Sequence, residues 1–180
     1  MPTPAPQEDH QSHIINGCID ELKKGISLLN SINDHDYTHL ALPYVESSIG
    51  EHFRHVLDLF QALMKKNTSE PINYNLRRRG HEIEKNRKMA IAEIKEVIRW
   101  LISFPIENLT TSVSLLTEVS PYKKQEHIMF SSIEREITFA SLHASHHYAL
   151  IKVITISIGI NTQSTFGLAP TTTTYLRGEA

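Results

Sequence analysis

Apolar residues recur at intervals of three and four along four separate stretches of the chain, the spacing that lines one face of a helix. The first stretch runs from about Glu8 to Ile32, with Ile15, Ile19, Leu22, Ile26 and Leu29 on its stripe, and ends in the polar segment Asn33 to His39. The second runs from about Val45 to Lys66. It opens at Ser48-Ile49-Gly50-Glu51, where a serine hydroxyl and a glutamate three residues later can satisfy each other's free backbone N–H groups. The third, from about Gly80 to Phe104, carries Ile83, Ala90, Ile91, Ile94, Val97, Ile98 and Leu101, and stops before Pro105, because proline disfavours helical geometry in its predecessor. Between Leu109 and Phe130 the period changes. Val113, Leu115 and, after a slip, Val119 alternate with polar residues around Ser120-Pro121, so a short hairpin or an irregular crossover is expected there. The fourth helical stretch starts at Ser131-Ser132-Ile133-Glu134, again a capping-box pattern, and continues to about Ile158.

Four long helices with one short irregular connection define the expected fold class as all-α, an antiparallel four-helix bundle. A chain of 180 residues with 40% hydrophobic positions suits a single domain over residues 1–180. The first eight residues are expected to be flexible, and the threonine-rich residues 160–180 an extended tail lying on the bundle. Basic and acidic residues, 18 and 20, are mixed along the chain, so no electrostatic footprint for nucleic acid or an anionic membrane is expected. The run Arg77-Arg78-Arg79, the only basic cluster, reads as a solvated loop or helix start in preference to an anion-binding patch, since Glu82 and Glu84 follow it closely. The longest apolar stretch, Tyr148 to Ile160, is interrupted by Lys152 and is shorter than the roughly 20 residues that span a bilayer, so it reads as a buried helix. The start, MPTPAPQED, has no apolar segment behind a basic end and does not resemble a secretory signal, which makes the cytoplasm the expected compartment. A lone Cys18 among Ile14, Ile15, Ile19 and Leu22 reads as a small buried hydrophobe, and no Cys-x-x-Cys pair offers a thiolate zinc site.

Histidine is the outlier, with 11 copies. His143 and His147 stand four residues apart in the fourth helical stretch, so both imidazoles can reach one ion. At about 100° per residue they flank an inward stripe of Ala140, Ala144, Ile151 and Ile154, with His146 farther round and Glu136 two turns earlier on the same flank. A third ligand can come from the facing second helix, which offers His52 and His55. Periodicity favours His52, which lies nearer the stripe of Ile49, Phe53, Val56 and Phe60. Three imidazoles with a free fourth position form a catalytic zinc set, and imidazole also suits nickel, iron and copper. Only the neutral ring donates, so binding is expected to weaken as pH falls through the range near 6.5 where free imidazole titrates.

The segments Ser48-Ile49-Gly50-Glu51-His52-Phe53-Arg54-His55 and Leu142-His143-Ala144-Ser145-His146-His147-Tyr148 together resemble the motifs of the DinB-like superfamily of metal-binding helical proteins. The resemblance implies an up-down-down-up bundle and selects His55, five positions beyond Gly50, with His143 and His147 as the metal ligands. It implies a divalent metal, zinc or nickel first and iron or copper after them, and an enzyme of the hydrolase or thiol S-transferase type that activates water or a low-molecular-weight thiol. No second domain of the sort fused to this module in sulfoxide synthases is seen, so that chemistry is not expected. Glu136, His52, His146 and Tyr148 are candidate catalytic helpers. The two histidines could exchange protons near neutral pH and the phenol could donate to an oxyanion. Against these roles stand plainer ones: a surface carboxylate, a packing tyrosine and two rim histidines. The alternative function is a non-catalytic stress protein that binds a metal or small ligand. A homodimer is a further expectation, with no exposed stripe to mark its interface.

Overall fold

A computed structural model describes residues 7–66 and 70–179. Its helices are α1 (Gln7–Ser31), α2 (Asp34–Thr38), α3 (Ile49–Met64), α4 (Arg87–Ser103), α5 (Ile133–Ser157) and α6 (Pro170–Leu176). Strands β1 (Ile72–Asn73), β2 (Ser112–Glu118) and β3 (Glu126–Ser132) complete it, together with short 3-10 turns at Glu82–Glu84 and Ile106–Asn108. The four long helices pack in a ring in which α1 and α3 each touch both α4 and α5. Their buried faces, including Leu22, Leu29, Phe53, Phe60, Ile94, Leu101, Ile137 and Ile151, form one core.

The expectation of an all-α four-helix bundle of the DinB-like type is overturned by the sheet. β2 pairs antiparallel with β3, from Ser112 opposite Ser132 to Glu118 opposite Glu126, and parallel with β1, through Ile72 opposite Leu115. The short hairpin expected before α5 is present as β2–β3, and β1 extends it into a three-stranded mixed sheet. Val113 and Leu115 turn inward from β2, and the buried Ile72 of β1 extends their apolar face. A two-residue strand carries no alternation to read, which is why periodicity could not disclose it.

Smaller corrections follow the same logic. The polar segment after α1 is no plain linker, because an Asn33–Asp36 capping box starts α2. The third helix begins only at Arg87, with Asn86 as its cap, and the preceding residues instead turn at Glu82–Glu84. Ser132, rather than Ser131, caps α5 by accepting from the Arg135 N–H. The tail is not extended throughout: proline at its first position starts α6. Of the start expected to be flexible, residues 1–6 lie outside the described residues, and α1 begins at Gln7. No helix among the described residues is long and apolar enough to cross a membrane.

The expected capping box of α3 is present: the Glu51 N–H donates to Ser48 Oγ and the Ser48 N–H to Glu51 Oε2. Within that same first turn α3 meets the Glu82–Glu84 turn at Gly50. A Cβ at Gly50 would lie 1.9 Å from the carbonyl oxygen of Glu84 and 2.9 Å from Cε1 of Tyr37. Tyr37, fully buried, donates from its hydroxyl to the Ile83 carbonyl at 2.7 Å and locks the same junction. Gly50→Ala should therefore destabilise the fold by at least the ~1–3 kcal/mol typical of overpacking. Gly17→Ala, on the exposed face of α1 with no atom within 4 Å of the added carbon, should be neutral or stabilising by about 0.5–1 kcal/mol. Denaturant unfolding of the two variants checks the contrast.

Candidate metal centre

Two faces supply the site. Phe53 on α3 packs against Tyr148 on α5, with ring centroids 5.6 Å apart, and the fully buried Ala140 and Ala144 keep the inner face of α5 low. The helices thus approach closely enough for imidazoles on their shared edge to meet. The Nε2 of His143 lies 2.9 Å from the Nε2 of His55 and 3.0 Å from the Nε2 of His147. A zinc-sized ion stands about 2.0–2.1 Å from each imidazole nitrogen, which sets ligating nitrogens about 3.3 Å apart around a tetrahedral centre. A small outward adjustment of the rings meets that demand, so the donor set fits a divalent metal. Among the described residues this cluster stops at His55, His143 and His147.

Both histidines of α3 join the cluster, in different ways. His52, 6% exposed, faces the far side of His147, Nδ1 to Nδ1 at 2.8 Å. It therefore contacts a ligand rather than the common centre. When His147 offers the Nε2 lone pair to an ion, its Nδ1–H can donate to His52, the outer contact that orients a metal-bound imidazole. Arg77 takes the corresponding place on His55, with Nη1 3.0 Å from Nδ1. A guanidinium only donates, so Nδ1 accepts and His55 carries its proton on Nε2, aimed at His143. The single lone pair of His143 Nε2 is then faced by two neighbouring Nε2 groups. One cation would satisfy what hydrogen bonding alone cannot.

Charge follows geometry. Burial first, then the neighbouring His55, His143, His52 and His146, push the His147 imidazole down to about 2. Burial and then Arg77 take His55 down to about 3, and burial takes His52 to about 4 against the opposing pull of Glu51. His143 is lowered as well, by burial and then by His146 and Arg77. The rings are thus held in the neutral form that ligates. Proton competition expected near pH 6.5 moves well below it.

The proposed helpers are scattered. His146 is exposed, with its ring 5.4 Å from that of His147, on the rim. Glu136 is 2% exposed and saturated elsewhere, taking the Tyr74 hydroxyl at 2.8 Å and the Ser131 hydroxyl at 2.6 Å, so it ties the sheet to α5 and shows no contact with an imidazole. Tyr148 is fully buried on the α1 side, stacked on Phe166 at 4.8 Å, and its hydroxyl has no partner among the described residues. Neither residue lines the cleft over the histidines.

That cleft, about 230 Å³, is lined by Ser47, Glu51, Arg54, Arg77 and Arg79 together with His52, His55 and His147. The arginine run is not uniformly solvated, as the sequence had suggested. Arg78 is clamped by Asp58 at 2.6 Å and by Glu93 through two bonds of 3.0 and 2.7 Å. Asp58 also holds Arg54, which in turn pairs with Glu84 at 2.8 Å. This buried network fastens the loop between β1 and α4 to α3 and so sets Arg77 over His55. The sequence marked the basic run but not Arg77 within it; which arginine of a run is left without a carboxylate shows itself only in three dimensions.

Fold and site together define a helix-rich domain with a small sheet and an open three-histidine cluster. No family model matches the chain, and no solved structure shows significant similarity to it. Over 106 residues, 59% of its length, the chain is 32% identical to FK506-binding protein 5 of Rhizopus delemar. The match covers 28% of that protein.

The depressed imidazoles give folding a pH dependence. The unfolded chain takes up protons near pH 6.5, whereas the fold holds His52, His55 and His147 neutral to about pH 4 or lower, so the unfolded state binds more protons between these limits. Stability of the metal-free protein should be complete above pH 6.5 and fall as pH drops from there to about 4. Denaturation midpoints measured from pH 7.5 to 4.5 check this, and a flat profile would contradict it.

Proposed function

We propose that the protein is a metal-dependent enzyme acting on a small molecule, with one divalent ion held by His55, His143 and His147. The observation that carries this reading is the convergence of three neutral imidazoles, with Nε2 contacts of 2.9 and 3.0 Å, two of which, His55 and His147, line a cleft. A structural zinc site is normally closed by four protein ligands, whereas three leave a position for water or substrate. The bound ion would supply Lewis acidity and lower the pKa of a water or thiol placed in that position.

The chain's own groups do the rest. His52 fixes the orientation of His147, and burial of the rings keeps protons from competing with the ion. The exposed His146, on the rim, is placed to pass a proton between the cleft and solvent. Hydrolysis and thiol transfer both suit such a centre, with zinc or nickel the first choices of metal. A low-molecular-weight thiol is the co-substrate favoured by the motif resemblance, and the cytoplasm, where thiols stay reduced, is the compartment that fits it. FK506 binding, printed in the name of the Rhizopus delemar protein, stays with that protein, because the shared stretch covers 28% of it and leaves the rest unmatched.

The test is metal loading. Purified protein exchanged against zinc or nickel should retain about one ion per chain by elemental analysis. His143→Ala and His55→Ala should each weaken binding by more than the 10- to 100-fold that removal of an outer partner costs, and His52→Ala should stay within that range. Failure of the wild-type protein to retain an ion, or a greater loss in His52→Ala than in His55→Ala, would overturn the assignment.

A further inference from the structure

The cleft over the histidines carries positive charge without partners. Of the arginines that line it, Arg54 is neutralised by Glu84 and Asp58, and the one acidic residue in the lining, Glu51, accepts from the Ser48 N–H and keeps its single negative charge. Arg79 is exposed, and neither it nor Arg77 forms an ion pair among the described residues. Arg77 is half-buried and donates to a neutral ring nitrogen instead, a poor substitute for a carboxylate. A further constraint comes from the proton on His55. Nδ1 accepts from Arg77 only while the ring's proton is on Nε2, and Nε2 is the nitrogen that faces the other two ligands. Ligation through Nε2 moves that proton to Nδ1, where it meets the Arg77 N–H head-on. Arg77 must then leave. It has room, because it also lines an adjoining cavity of about 390 Å³ with Asp58, Glu70, Ile72 and Leu76, where Asp58 is already committed to Arg54 and Arg78.

Resting on the three-histidine reading, we propose that Arg77 and Arg79 form an oxyanion-binding rim of the metal cleft, that the substrate carries a carboxylate or phosphate, and that Arg77 links the two events. In the metal-free protein Arg77 caps His55; with the ion bound it turns to the anionic group of the substrate. Two guanidiniums beside a dication and three neutral ligands outweigh the single negative charge of Glu51, and an anion relieves the excess. Metal and anion therefore bind with positive coupling, each raising the affinity for the other by the same factor.

Zinc binding without any substrate tests this. The zinc affinity of the wild-type protein, Arg77→Met and Arg79→Met is measured by competition with a chromophoric chelator at fixed ionic strength in chloride, and then with sulfate or acetate replacing part of the chloride. Arg77→Met should bind zinc about tenfold more tightly than wild type in chloride, because the competitor for Nδ1 and its charge are gone. Sulfate or acetate should tighten zinc binding by about fivefold or more in wild type, and by much less in either variant. Arg79 is exposed and its replacement leaves the fold intact, so it carries the test should Arg77→Met fold poorly. Unchanged or weaker zinc binding in Arg77→Met, or equal anion effects in all three proteins, overturns the proposal while leaving the three-histidine site standing. A wild-type protein that binds no zinc overturns the site itself, and this inference with it.

Discussion

An imidazole nitrogen has one lone pair, and the site is organised around that limit. Three Nε2 atoms meet where α3 and α5 touch, each ring is held neutral by burial, and Arg77 determines where the proton of His55 resides. Neutral rings packed this closely cannot all satisfy one another through hydrogen bonds. A cation that accepts three lone pairs can satisfy them at once, and the outer contact from His52 is already in place to receive the displaced proton of His147. The same crowding that depresses proton affinity therefore preserves affinity for a metal.

Such an arrangement depends on a scaffold that does not yield. Gly50 lets the Glu82–Glu84 turn press directly on α3, and the Tyr37 hydroxyl pins that turn from the other side. Asp58, 5% exposed, binds two arginines, and removing one member of so buried a network would leave an uncompensated charge at a cost of about 3–5 kcal/mol. Glu136 anchors the sheet to the first turns of α5 through Tyr74 and Ser131. Each of these ties holds one wall of the cleft, so the positions of His55, His143 and Arg77 follow from packing and ion pairing some distance from the histidines.

Much of this was legible in the sequence because helical spacing is a local property. The i, i+4 interval put His143 and His147 on one face, and the stripes of α1, α3, α4 and α5 followed from their apolar periods. Helical projection ranked His52 above His55 because it asks which residue lies nearest the apolar midline. The structure places both in the cluster: His55 reaches the common centre from the stripe's edge, while the more buried His52 lies behind His147. Glu136 shares the angular position of His143 but lies two turns away along α5, against the sheet, and Tyr148, about 100° round from His147, faces the α1 core. The β2–β3 hairpin was legible in its alternation, but β1 was not, since it is two residues long and pairs with a strand some forty positions away. Arg77 was hidden because its meaning lies in which carboxylates its neighbours consume.

The central claim is that one divalent ion is held by nitrogen from three imidazoles of α3 and α5. X-ray absorption at the zinc edge of the loaded protein measures that directly. The account predicts a first shell of three imidazole nitrogens near 2.0–2.1 Å with one exchangeable oxygen donor, falling to two imidazoles in His55→Ala. A shell dominated by carboxylate oxygen, or three imidazoles that persist without His55, would contradict it.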